Sequence, residues 1–96
     1  MTQKKYIVKY TNQFKKDYKS ALKRNLNISE LHTVVNKLAC GETLEEKYRD
    51  HALTGQWIGH RECHISPDWL LIYYTKKDTL VLTLARTGTH SDLFNR

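Results

Sequence analysis

The period of hydrophobic residues changes along this chain, and each change marks an element. Tyr6-Ile7-Val8-Lys9-Tyr10 is β-branched and aromatic, which is strand composition. Thr11 or Asn12 then offers a helix N-cap. Phe14, Tyr18, Ala21 and Leu22 follow at helical spacing, with Lys15, Lys16, Lys19 and Lys23 on the other face. A second helix is framed by Asn27 as cap, Glu30 at N3 and Leu26 placed to staple onto Leu31. Ile28, Leu31, Val34, Val35 and Leu38 form its apolar stripe, and Gly41 supplies its stop. Two amphipathic helices with a short link predict a helical hairpin lying on a sheet.

From Gly41 to Gln56 the chain is polar and aperiodic, so this stretch reads as a loop with room for a short helical turn. Three strands are predicted after it. Trp57–Ile65 alternates, with Trp57, Gly59, Arg61, Cys63 and Ile65 on one face and Ile58, His60, Glu62 and His64 on the other. Ser66-Pro67-Asp68 is a turn by composition. Trp69–Lys76 is the most apolar strand, and Lys77-Asp78 turns the chain into Thr79–Arg86. Short turns make these neighbours antiparallel. The expected fold is α+β: an N-terminal strand, a helical hairpin, an antiparallel three-stranded meander forming a twisted sheet packed by the two helices, and a short C-terminal tail.

The chain has 96 residues, enough for one core, so residues 1–96 are read as a single domain. Mean hydropathy is −0.65, and no apolar run approaches the roughly 20 residues that span a bilayer. No signal-peptide segment follows Met1, so a cytoplasmic location is expected. Cys40 and Cys63 are then expected to be free thiols. The net charge of +6 is unevenly placed. Residues 1–24 hold eight Lys/Arg against the single acid Asp17. A concentrated basic face of this kind attracts polyanions through counterion release, although it also suits a merely solvated helix.

Candidate chemistry lies at the strand ends of the second half. His51, His60, His64 and His90 fall there, with Asp68, Arg86 and Phe94 among them. Cleaving RNA without a metal requires a base for the ribose 2′-OH, a cation for the phosphoryl oxygens and an acid for the departing 5′-oxygen. Histidine suits both proton-transfer roles, arginine matches phosphate, and an aromatic ring can stack on an unpaired base. Each residue also has a duller reading. His64 fits a half-exposed strand position, Asp68 a turn former after Pro67, and Arg86 a strand end or a partner for Asp92. His90 fits a cap and Phe94 a core contact. His32 and His60 read as surface residues, and Trp57 and Trp69 as core or loop anchors. Zinc is disfavoured: His60-x-x-Cys63-His64 and Cys40 supply ligand types, but residues 60 and 63 of one strand face opposite ways and no Cys-x-x-Cys pair exists. No metal or cofactor is expected.

The ordered set Tyr48-Arg-Asp-His51-x-Leu-x-Gly55-x-Trp57-x-Gly59-x-Arg61-x-x-His64-x-x-Pro67-Asp68-Trp69-x-Leu71-Ile72-Tyr73, then Arg86-Thr-Gly-Thr-His90-x-x-Leu93-Phe94, resembles the RelE/ParE superfamily of bacterial toxin–antitoxin toxins, and within it the YafQ branch. The resemblance spans nearly the whole chain. It implies a RelE-like domain and a metal-free endoribonuclease that cuts mRNA in the ribosomal A site by 2′-OH attack. It implies active residues at His51, His64, Asp68, Arg86, His90 and Phe94. On that basis His90 is the acid, Arg86 the phosphate stabiliser and His64 or His51 the base, with acid and base exchangeable. Asp68 orients an imidazole or contacts RNA, and Phe94 positions a base. Lys15, Lys16, Lys19 and Lys23 are assigned to ribosomal RNA phosphates. The resemblance also implies a cognate antitoxin, and operator DNA bound only through the antitoxin complex. Better-known RelE proteins use Lys, Arg and Tyr at this surface, which sets the chain in the histidine-rich branch. A gyrase-inhibiting ParE-like toxin and a non-catalytic RNA-binding module are the alternatives.

Overall fold

In the computed structural model, which describes residues 4–94, the chain forms one five-stranded sheet in the order β1-β5-β4-β3-β2. The strands are β1 (Ile7–Tyr10), β2 (His51–Ala52), β3 (Arg61–Ser66), β4 (Trp69–Lys76) and β5 (Val81–Gly88). The helices are α1 (Asn12–Lys23), α2 (Ile28–Ala39) and a short α3 (His90–Phe94). β3, β4 and β5 are the expected antiparallel meander, and β1 joins β5 in parallel. Among the described residues, no helix is long and apolar enough to cross a membrane.

Both predicted helices form with the caps read from sequence. The Thr11 side chain accepts from the Phe14 amide, and the Asn27 side chain accepts from the Glu30 amide. Leu31, Val34 and Leu38 of α2 are buried as expected. Leu22 is not: it stays largely exposed at the end of α1, and Ala21 takes the core position instead. One sheet face carries the main core, where Phe14, Leu31 and Val34 meet Cys63, Leu71, Tyr73, Leu82 and Leu84. Leu70, Ile72, Ala85 and Leu93 form a smaller cluster against Leu53, Trp57 and Phe94. β4 is therefore buried on both faces, which is why it reads as a continuous apolar run.

Three sequence expectations are corrected. The strand predicted from Trp57 begins only at Arg61, because Gly55–Trp57 is a 3-10 turn and Gly55 and Gly59 have φ of +65° and +91°. Alternation continues through those positions, but positive φ cannot extend a strand. The Gly41–Gln56 loop contains the 3-10 turn Glu46–Tyr48 and also a strand, β2, too short for periodicity to reveal. The last strand starts at Val81 instead of Thr79 and continues through Gly88, because the turn occupies residues 77–80 with Leu80 at φ +55°.

A slip of one residue decides which way β5 faces. Tyr73 pairs with Leu84 but Ile72 pairs with Arg86, leaving Ala85 as the extra residue of a bulge. Paired residues share a face, so Arg86 lies with Ile72 on the side away from α2. Without the extra residue Arg86 would oppose Leu71 and face the main core. β1 ends opposite Leu84, and α1 then takes over the edge of β5. The Thr11 amide donates to the Leu84 carbonyl and the Thr11 hydroxyl to the Ala85 carbonyl. The Thr87 amide and the Arg86 guanidinium both donate to Asp17.

Beyond β5 the chain folds α3 back over Gly88. A Cβ at Gly88 would stand 2.9 Å from the Asp92 Cβ and 3.3 Å from a Leu93 methyl. Gly88→Ala is therefore expected to push α3 off the sheet and to lower stability by about 1–3 kcal/mol through overpacking. Urea unfolding checks this: the midpoint falls with the slope unchanged.

Candidate active site

Four imidazole or aromatic side chains run in a line across the sheet face that α2 does not cover. The ring centroids of His51 and His64 are 6.4 Å apart, those of His64 and His90 are 5.8 Å apart, and those of His90 and Phe94 are 6.5 Å apart. The four rings arrive from three elements: His51 from β2, His64 from β3, and His90 and Phe94 from α3. Residue pairing sets His51 opposite Glu62, Glu62 opposite Ile72 and Ile72 opposite Arg86, so one row crosses four strands. His64, Leu70 and Gly88 form the adjacent row. α3 then brings His90 and Phe94 over the end of that row.

Two carboxylates organise the imidazoles. Glu62 is buried, and its Oε1 lies 3.5 Å from the Nε2 of His51 and 3.5 Å from the Nε2 of His64. That separation exceeds a good hydrogen bond but is a close electrostatic contact for either imidazolium. Asp68 is 67 % exposed at the turn before β4, and its Oδ1 accepts from His90 Nδ1–H at 2.6 Å and from the His90 amide at 3.1 Å. These two donors, with the ring contribution the larger, hold the Asp68 carboxyl below its ordinary value. With Nδ1 committed to Asp68, the Nε2 of His90 is the nitrogen available for proton exchange.

His51 is oriented through the backbone. Tyr48 is buried and its hydroxyl donates to Glu30, which together with burial pushes its pKa up to about 12. Arg49 follows in the left-handed region with φ +50°, and its carbonyl accepts from His51 Nδ1–H at 2.7 Å. A carbonyl can only accept, so Nδ1 carries hydrogen and Nε2 is the nitrogen turned toward Glu62. Asp50 accepts from Tyr73 and Arg61, fixing the start of β2 against its neighbours.

Arg86 shares the face but contacts none of the imidazoles. Its Nε and Nη2 donate to the two oxygens of Asp17 at 3.1 and 3.0 Å. That fork raises the guanidinium pKa and leaves Nη1 as the uncommitted group. The sequence had suggested Asp92 as its alternative partner, but Asp92 instead accepts from Arg24 at 2.8 Å. Lys15, Lys16, Lys19 and Lys23 are all exposed on α1, while the acid among them, Asp17, is turned inward. Cys63 is fully buried, burial pushes its thiol up, and neither cysteine is in a disulfide. Among the described residues, no three His, Cys, Asp or Glu side chains are grouped to hold a metal ion.

Residues 6–95 match the family described as the bacterial toxin of a type II toxin–antitoxin system, YafQ. The chain belongs to the YafQ family. It is 40 % identical over 88 residues to the mRNA interferase toxin YafQ of Escherichia coli K12, covering 91 % of this chain and 94 % of that one. The structure is similar to YafQ in the E. coli DinJ-YafQ toxin–antitoxin complex, with a TM-score of 0.86, 37 % identity, and coverage of 94 % of this chain and 98 % of that one. It is also similar to a metal-bound toxin from Helicobacter pylori, with a TM-score of 0.87, 40 % identity, and coverage of 93 % and 99 %.

In this YafQ-family chain the fold thus gathers His51, His64, Asp68, His90 and Phe94, and it sets Arg86 on the same face. Phe94 does double duty, since it packs on the smaller cluster while standing beside His90. His60, read as a surface residue, is instead half-buried between Trp57 and Tyr74. Glu62 was not singled out from sequence. Its signal was present, because alternation put it on the His64 face, but a lone glutamate in a strand normally points to solvent. The Asp68–His90 pair has a measurable signature. Because the folded carboxyl pKa is lowered, the pair stabilises the fold above the ordinary value of 3.8, and that stabilisation is lost as pH falls through the depressed one. Carboxyl carbon shifts should place the Asp68 midpoint below 3.8, and His90→Ala, which keeps the amide donor, should raise it toward that value.

Proposed function

We propose that this protein is a ribosome-dependent mRNA endoribonuclease, which cleaves the message in the ribosomal A site and is silenced by a cognate antitoxin. The observation that carries the reading is the pairing of two differently held carboxylates with three imidazoles on one open sheet face. His90, with Nδ1–H donated to Asp68, presents Nε2 to the departing 5′-oxygen as the acid. The Asp68 charge stabilises the imidazolium that must exist before that transfer. His51 or His64 removes the 2′-OH proton, and the positive ring then formed lies beside Glu62. Attack of the 2′-oxygen on the adjacent phosphorus breaks the bond to the 5′-oxygen, leaving a 2′,3′-cyclic phosphate and a 5′-OH.

Arg86 supplies positive charge to the phosphoryl oxygens through Nη1, while Asp17 fixes the plane of its fork. Phe94, next to His90, holds a base by stacking. The exposed lysines of α1 bind ribosomal RNA phosphates and so contribute affinity without sequence information. No step uses a metal. The relative solved with DinJ supports a matching antitoxin here, with operator DNA reached only through that complex. The cytoplasm, where ribosomes and messages are, is the place of action.

Primer extension on a defined message in a purified translation system tests the reading. Wild-type protein should give cuts in phase with codons, and only with ribosomes. His90→Ala should reduce cleavage by about 10²–10⁴-fold, the usual range for a general acid or base. Glu62→Gln preserves shape but removes the charge beside both base candidates, and should cost roughly tenfold, one charge-assisted contact. Intact message with wild-type protein would sink the nuclease reading.

A further inference from the structure

The histidine-bearing face has a hollow at its other end. It has a volume of about 500 Å³ and is walled by Trp57, Ile58, His60, Tyr74, Ala85 and Arg86. His60 stands edge-on between two rings. Its centroid is 5.1 Å from that of Trp57 at 82° and 4.9 Å from that of Tyr74 at 75°. Trp57 also packs on the cluster around Leu70 and Ile72, so its buried side anchors the loop. Anchoring leaves two features unexplained. Ile58 is 76 % exposed, carried on the rim by the 3-10 turn before it and by Gly59 at φ +91° after it. The Nδ1 of His60 is buried without a hydrogen-bond partner among the described residues, a cost that an aliphatic residue would avoid.

We infer that this hollow is a second base-stacking subsite, which takes an unpaired nucleotide of the message a few positions from the cut. The inference rests on the nuclease reading above. Aromatic faces beside a guanidinium are the surface on which single-stranded RNA lays its bases, and Arg86 forms the wall on the side of the catalytic row. His60 stands one residue before β3 and meets Tyr74, which shares the face of Ile72, so the subsite is set off from His64 by at most about 13 Å, four residues at ~3.3 Å each. That offset corresponds to roughly four steps at the stacked spacing of ~3.4 Å, and to fewer where the strand is splayed. The reacting phosphate then lies between two aromatic holds, Phe94 at one end and the Trp57–His60–Tyr74 shelf at the other. Two holds seat the message across the catalytic row and so contribute to its binding.

Steady-state cleavage on ribosomes programmed with a synthetic message tests this. One abasic nucleotide is placed in turn at each of about four positions on either side of the cut, the range set by the spacing above. For wild-type protein, one abasic position beyond the nucleotides at the cut should raise KM by roughly tenfold, the worth of a stacked base. Ile58→Ser, at an exposed site, and Tyr74→Leu should raise KM similarly on intact message, leave kcat unchanged, and show no further rise with that abasic message. If cutting is normal but no abasic position couples to either variant, the subsite is overturned while the nuclease stands. Equal loss of affinity for ribosomes without message would assign the shelf to a ribosomal contact and also overturn it. Failure of wild-type protein to cut ribosome-bound message overturns the nuclease and the subsite together.

Discussion

The bulge at Ala85 is the constraint on which the site depends. Up to Leu84 the edge of β5 is satisfied by β1, and from Ala85 onward by α1. A strand that changes partner in mid-course would leave buried carbonyls and amides without mates. Here the Thr11 hydroxyl takes the Ala85 carbonyl and Asp17 takes the Thr87 amide, so α1 acts as the missing strand. The extra residue also reverses the parity of everything after it. Arg86 goes to the histidine face, and Thr87 goes inward, where its hydroxyl donates to the Leu70 carbonyl. One inserted residue thereby moves a cation from a place where burial would be costly to a place where it can meet a phosphate.

The two acids at the site are held in opposite ways, and the contrast divides their work. Asp68 is exposed, makes direct short bonds to one imidazole and fixes which nitrogen of that ring is free. Glu62 is buried and stands at equal distance from two imidazoles without a tight bond to either. A tight bond orients a ring; a shared, longer contact stabilises positive charge on whichever ring acquires it. This arrangement fits a reaction in which one ring must give up a proton already held and another must gain one. Asp17 follows the first pattern for Arg86, committing two of its nitrogens and leaving one.

Much of this fold is readable from the order of residues alone. Both helices, their caps and β4 follow from local periodicity and side-chain capping chemistry, which are properties of neighbouring residues. The failures lie where a distant partner decides. β2 is two residues long and exists because His51 and Ala52 meet Glu62 and Arg61. The bulge is invisible because a single extra residue leaves composition unchanged. Trp57 to His60 alternates like a strand, yet Gly59 takes positive φ, as Gly55 does before it, to make the turn that carries Ile58. Among the site residues, His64, Asp68, His90 and Phe94 were legible as a motif. The partners that give them chemical character, Glu62 for two rings and Asp17 for Arg86, came only from pairing across the sheet.

The placement of His90 follows from the weakness of the element that carries it. α3 has five residues, far too few to persist as an isolated helix. It is held by the Leu93 contact with Leu70, Ile72 and Ala85, by Asp92 accepting from the Thr89 amide and from Arg24, and by the Asp68–His90 bridge itself. Gly88 lets it approach the sheet closely enough for these contacts to form at once. His90 and Phe94 are therefore positioned by the same few contacts that keep α3 folded, and they cannot be adjusted separately. His51 and His64, by contrast, sit on β2 and β3, tied into the sheet by backbone pairing. His64 is thus set in a strand paired on both sides and His90 in a segment that only tertiary contacts define. In the reaction proposed above, adjustment to the substrate is thus left to the side that carries His90 and Phe94.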